Sequence, residues 1–147
     1  MAVVETYSLQ FLLEVVRKEH DLEDDTLKIM LLTPAFAFNP ATHADYSDVS
    51  GSEIATGNGY TTGGETLANV VASIGSGQVD IDCDNVTWTA GASAMATTGA
   101  AIIYNDSHAS KTVIKCIDFG DDYATAAAKL LQINFAAGMA SVKTVTV

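Results

Sequence analysis

The stretch Thr97–Gly120, TTGAAIIYNDSHASKTVIKCIDFG, constrains the fold more than any other part of the chain. Two apolar runs, Ala100–Tyr104 and Thr112–Phe119, flank the polar segment Asn105–Ser110, which is rich in turn formers. Ile102, Ile103, Tyr104, Val113, Ile114 and Ile117 suit a pleated, buried surface, so the spacing predicts a β-hairpin. Pairing Tyr104 with Lys111 sets Ile102 opposite Val113 and Ala101 opposite Ile114. Both faces of the ribbon then carry apolar groups, as expected of a central pair of strands covered on both sides.

At 147 residues the chain is expected to form one domain, 1–147, large enough to fold without metal or disulfide. Net charge is −11, from 18 acidic and 7 basic residues, and Arg17 is the only arginine. Binding to nucleic acid needs cations that displace phosphate counterions, so nucleic acid is excluded as a direct ligand. An anionic membrane surface is disfavoured for the same reason. Asn85–Asn105 carries no charge but is too polar to span a bilayer. MAVVETYSLQ lacks the basic start of a secretion signal. Cys83 and Cys116 lie in apolar runs and read first as small buried hydrophobes, with a bridge between adjacent strands as the lesser reading.

Along the chain, Tyr7–Glu19 predicts an amphipathic helix. Thr6 or Ser8 caps it, and Leu9, Leu12, Leu13 and Val16 form the buried face. His20–Asp25 is an acidic connector, and Leu27–Thr33 a strand stopped by Pro34. A long irregular loop, about 35–64, contains Phe36, Phe38, Tyr46 and Tyr60. These aromatics either pin the loop to the domain or contact another subunit, and they are the candidate interaction surface. Further strands are expected at Glu65–Ala72, Gln78–Cys83, Val86–Thr89 (with Trp88 a core anchor) and Leu130–Phe135. Turns are expected at Gly75–Gly77, Gly120–Asp122 and Ala136–Gly138. Tyr123–Ala128 is helix-tolerant, and Val142–Val147 is a last strand or an arm. About eight short strands and one N-terminal helix predict a mainly β fold, an antiparallel β-sandwich or jelly-roll-like domain.

No residue pattern announces catalysis. The glycines of Gly57–Gly64 lack both the dinucleotide spacing and a P-loop lysine, and read as turn or close-packing glycines. Asp80, Asp82 and Asp84 alternate, but a calcium loop would need Gly at Asn85 and Glu at Gly91. His20, His43 and His108 sit in separate polar loops without zinc spacing. Asp106, Ser107, His108 and Ser110 hold the residue types of a triad, yet adjacency in one turn cannot give its geometry. Neither cysteine has a setting that would activate it. No catalytic residue, cofactor or metal is expected.

Several segments together carry a resemblance: DLEDDTLKIMLLTPAFAFNPATHADYSDV, EIATGNGYTTGGETL, VTWTA, TTGAAIIYND and KCIDFG, in that order after the N-terminal helix. The chain resembles a family of small virion structural proteins of tailed bacteriophages, described as head decoration or cement proteins. The resemblance runs from about Phe11 to Phe135. Leu27–Asn39, Gly59–Gly64 and Ile117–Gly120 are its most specific parts; Ala90–Thr97 and the tail after Phe135 match least. It implies a non-enzymatic protein on the capsid surface, partnered by the major capsid protein and by copies of itself. A tail or fibre component, with a receptor-binding role, is the alternative within the virion. A small carbohydrate-binding β-sandwich or hydrolase remnant is the alternative outside it, and would need exposed aromatics on one face and a carboxylate pair.

Overall fold

The computed structural model describes residues 2–75, 77, 79–135 and 144–146. Among them the strands are β1 (Val4–Tyr7), β2 (Leu27–Leu32), β3 (Glu65–Thr66), β4 (Val71–Ile74), β5 (Val79–Asp82), β6 (Val86–Thr89), β7 (Thr98–Asn105), β8 (Val113–Tyr123), β9 (Leu130–Asn134) and β10 (Thr144–Thr146). Two short helices, α1 (Leu9–Val16) and α2 (Tyr46–Val49), and a 3-10 turn at Ser50–Ser52 complete them. The fold is mainly β. A five-stranded sheet has the order β1-β8-β7-β2-β3, a second sheet runs β10-β9-β6, and β4 and β5 form a separate ribbon. Every pairing is antiparallel.

The hairpin β7–β8 is the middle of the large sheet, and apolar groups cover both of its faces. On one face Ile29, Leu31, Ala101, Ile103, Ile117 and Phe119 share a core with Val86, Trp88, Leu131 and Ile133 of the smaller sheet. On the other, Met30, Leu32, Ala100, Ile102, Tyr104, Val113 and Cys116 pack beneath the 35–64 loop. The sheet edge at β2 is closed by that loop rather than by a full strand. Beyond the two-residue β3, Ile54 donates its N–H to the Leu31 carbonyl at 3.0 Å and Thr33 donates to Ser52 at 2.8 Å. The Tyr60 hydroxyl accepts the Leu31 N–H at 3.1 Å. Gly64, at φ +72°, lies so close that a Cβ would run into the Ile29 carbonyl, and one at Gly59 would strike that of Thr89. Gly59 and Gly64 are therefore close-packing glycines, whereas Gly57 (φ +135°) and Gly63 (φ +93°) have room for a Cβ and are positive-φ glycines of the loop.

The hairpin register differs from the expected one. Tyr104 pairs with Val113, Ile102 with Cys116 and Ala101 with Ile117, with a shift between Ile103 and Tyr104. The Asn105 side chain is the cause. Its Oδ1 accepts the N–H groups of Ser107 and His108, and its own N–H bonds Thr112, so the turn consumes Lys111 in a left-handed conformation, φ +53°. Gly120–Asp122 does not turn. Gly120, φ +71°, sits in a bulge and β8 runs on to Tyr123, which pairs with Thr98. Tyr123–Ala128 forms no helix. Glu65–Ala72 is broken where Asn69 takes φ +54°.

Strand β1 was not foreseen, and Lys115 explains it. This lysine sits in the apolar run VIKCI with its side chain 1% exposed, and its Nζ lies 2.9 Å from Glu5 Oε1. A buried ammonium needs a counter-charge, and β1 supplies one by pairing Tyr7 with Lys115 and Glu5 with Ile117. Burial holds the Lys115 pKa below its ordinary value, while Glu5 opposes the shift. At the other end, β10 pairs with β9, so Thr144–Thr146 is a strand of the sheet. The expected Ala136–Gly138 turn and the positions 142, 143 and 147 lie outside the described residues, as do 76 and 78 in the β4–β5 connection.

Candidate functional site: an outward helix face above a buried polar cluster

Helix α1 is shorter than expected and faces the other way. It begins at the Ser8 N-cap, where the backbone is stitched down by Ser8 N–H to Ile114 and Leu9 N–H to Pro40, both 3.0 Å. The Ser8 hydroxyl makes no cap bond. Lys18, at φ +62°, ends the helix after the Arg17 C-cap. Within it only Phe11 and Glu14 are buried. At about 100° per residue, Leu9, Leu12, Leu13 and Val16 fall in one arc of about 100°, and Phe11 and Glu14 each lie about 150° from its centre, one on either side of the opposite pole. The expected core face is the solvent face. Leu9 is 55% exposed, Leu12 46%, Leu13 43% and Val16 80%, with Val15 beside them at 46%. The periodicity identified an amphipathic helix but could not say which side the domain itself would use.

The inward side is chosen by one ring and one carboxylate. Phe11 stacks between Tyr7, centroids 6.1 Å apart, and His20, 5.2 Å apart. Glu14 Oε1 accepts from Gln10 Nε2 at 2.7 Å; Oε2 accepts from Thr112 Oγ1 at 2.7 Å and lies 2.8 Å from His20 Nε2. Burial pushes the Glu14 carboxyl up. Bonds from Gln10, Thr112 and His20 and the nearby His108 outweigh that and hold it below the ordinary range. The cluster thus ties α1 to the 105–112 turn and to the 19–25 connector. Sequence reasoning kept these histidines apart; no spacing rule links positions 14, 20 and 108.

Glu14, His20 and His108 each offer a ligand atom within 4.8 Å of the others, which raises the question of a metal. The hydrogen-bond polarity argues for a proton instead. Asn105 Oδ1 is committed to two backbone N–H groups, so its amino group faces Asp25 Oδ2 at 2.6 Å and His20 Nδ1 at 2.9 Å. His20 Nδ1 must therefore accept, which leaves the ring proton on Nε2, pointing at Glu14. Ligation through Nε2 would move that proton to Nδ1, against a donor. Thr112, which gives its own proton to Glu14, accepts from His108 Nδ1 at 2.9 Å. These residues do not fit a metal ion; they form a closed hydrogen-bond chain that orients the helix.

The aromatic loop residues divide. Phe36, Phe38 and Tyr46 are half-buried against the second core, with Phe36 on His43 at 5.2 Å and Tyr46 on Tyr104 at 5.0 Å. Tyr60 is 2% exposed and offers no surface. Its hydroxyl is held between Leu31 N–H and Glu53 Oε1, the latter at 2.6 Å. All four pin the loop, and the half-buried Phe36, Phe38 and Tyr46 also keep part of their surface exposed. Phe36 also borders an open groove of about 610 Å³ whose lining includes Asp118, Asp121 and Asp122. Asp118 and Asp121 accept backbone N–H groups of Gly120 and Asp122.

The remaining candidates resolve simply. Asp82 accepts the Cys83 N–H and Asp84 accepts from Asn69, so both serve local backbone and side chains. Ser107 Oγ accepts the Thr26 N–H, and Asp106 pairs with Lys111 at 2.7 Å and Lys28 at 3.4 Å. Cys83 and Cys116 are free and buried, both thiols raised to about 12 by burial. They belong to different cores on opposite faces of the large sheet, which overturns the bridged reading. Trp88 is a core anchor, 1% exposed. Among the described residues no helix is long and apolar enough to cross a membrane. No protein family, no curated protein and no solved structure matches the chain.

Proposed function

We propose that the chain is a non-enzymatic structural protein of a tailed-phage virion, a decoration or cement protein that binds the major capsid protein shell. Its body would be of the antiparallel β-sandwich or jelly-roll type, with the five- and three-stranded sheets enclosing the main core. The observation that carries the reading is the distribution of exposed apolar side chains. Of the ten large ones among the described residues, five are on α1, and three more (Val71, Ile74 and Val79) are on the β4–β5 ribbon. Apolar side chains gathered on two separate elements of a rigid body suit a protein that makes two kinds of contact. Docked in many copies, modest contacts sum through valence. A ligand that binds only the mature shell stabilises it by mass action. The net charge of −11 makes free copies repel one another and favours their solubility before docking.

The test is copy number and place in the purified particle of the phage that encodes the chain, by quantitative gel densitometry of separated heads and tails. Hundreds of copies on heads are expected. A few copies with the tails would replace the reading with a tail or fibre component, and absence from the particle would reject both. A shell-binding assay with Ile74→Asp and Val79→Asp then locates the contact. Loss of binding in the folded protein is expected, because neither side chain contributes to the core.

A further inference from the structure

We infer that the outward face of α1 is a self-association surface, occupied by α1 of a second copy of this chain about a twofold axis. The inference does not depend on the virion reading. Its basis is that the helix is amphipathic in the wrong sense for its own domain. Leu9, Leu12, Leu13 and Val16 point directly away from the buried side. The inward side is fixed by Phe11 and by the three bonds to Glu14, so the helix cannot roll to bury the stripe.

Charge selects the occupant. The chain carries 18 acidic side chains, yet the one acid within α1, Glu14, is turned inward. Two of the seven basic residues, Arg17 and Lys18, close the exposed end of the stripe and make no ion pair among the described residues. The exposed face of the helix itself carries no acid, so two acidic chains can approach there, with the acidic 19–25 connector lying just beyond its end. A Leu/Val stripe is also its own complement, which an isologous contact requires.

Area sets the strength. Five side chains about half exposed amount to roughly 200–300 Å² of apolar surface per copy, the core of a contact near the small end of stable interfaces. A contact of this size makes the pairing concentration-dependent. Like-charge repulsion between the rest of the two copies opposes it, so salt strengthens it.

Sedimentation equilibrium of the purified full chain is the test. Wild type is expected to show a monomer–dimer equilibrium, with the dimer fraction rising between about 0.02 and 0.3 M NaCl. Leu12→Glu with Val16→Glu should be monomeric with unchanged circular dichroism, and the ribbon variant Val71→Glu should dimerise like wild type. Because both native thiols are buried, Leu13→Cys, near the twofold axis, should oxidise to a covalent dimer while Val71→Cys does not. A wild type that stays monomeric at about 0.5 mM would overturn the inference. So would a trimer, a dimer that survives the helix substitutions, or one broken by the ribbon substitution instead.

Discussion

Replacing Tyr60 by Phe removes one oxygen and leaves the ring volume in place, so no cavity term enters. Among the described residues the hydroxyl is the one partner of the Leu31 N–H on the open side of β2, and Leu31 is 0% exposed. Deleting it leaves a buried donor unsatisfied, which costs about 1–3 kcal/mol. Glu53 loses one donor as well, but keeps the Gly63 N–H at 2.6 Å and the Tyr46 hydroxyl at 3.2 Å. The expected loss is therefore about 2 kcal/mol, set by the Leu31 amide. In a chain of this size that lowers Tm by roughly 4–8 °C. Urea unfolding should show a lower midpoint with an unchanged slope, since the surface exposed on unfolding is the same. Tyr46→Phe is the control. It takes a hydroxyl from the same carboxylate but strands no buried amide, and should cost under about 0.5 kcal/mol. If Tyr60→Phe matched that control, the claim that the 35–64 loop satisfies the β2 edge would be wrong.

Glu14→Gln should destabilise the protein at neutral pH, with a gap that narrows on acidification. The folded carboxyl has a lower pKa than the unfolded one, so its stabilisation is present above about pH 4.3 and is lost as pH falls through the folded value. Parallel unfolding curves for the two proteins from pH 7 to pH 3 check this, and a constant gap would contradict it. Gly64→Ala should cost about 3 kcal/mol or more, because it combines positive φ with a clash against backbone. Gly51→Ala, with open space around it, should be close to neutral in the same thermal melt. Both cysteines should resist a thiol reagent at pH 8 in the native protein and react fully in denaturant; rapid native labelling of either would contradict their placement.

Strand content was legible wherever apolar alternation or a continuous apolar run was long. Leu27–Leu32, Val86–Thr89, Leu130–Asn134 and the hairpin all lie where the pattern put them. What was not legible depended on partners far away in sequence. The pattern of Val4–Tyr7 says little until Lys115 is seen to need Glu5. Gly120 reads as a turn until Tyr123, beyond the bulge, is seen to pair with Thr98. The α1 stripe was read correctly as apolar and wrongly as internal, because periodicity reports that a face is greasy and not whose interior it fills. The Glu14–His20–His108 cluster was invisible for the same reason: its members meet only after the hairpin turn folds over the helix.

The order of strands in the large sheet also dictates a history. Of its pairings only β7 with β8 joins strands linked by a short turn; β2 and β3 are consecutive, but the 33–64 segment separates them. Strand β2 must wait for Asn105 to pair with Leu27, and β1 cannot bond before Asp118 exists to meet Val4. A chain emerging from the ribosome therefore makes its first strand more than a hundred residues before that strand has a place. Until then the greasy helix that follows it is unattached on both sides, the Phe11 side as well as the leucine side. The hairpin is the template on which the N-terminal quarter is later hung, and long-range closure of this kind makes the last step of folding slow. Truncation before residue 118 should leave that N-terminal segment as the part that aggregates.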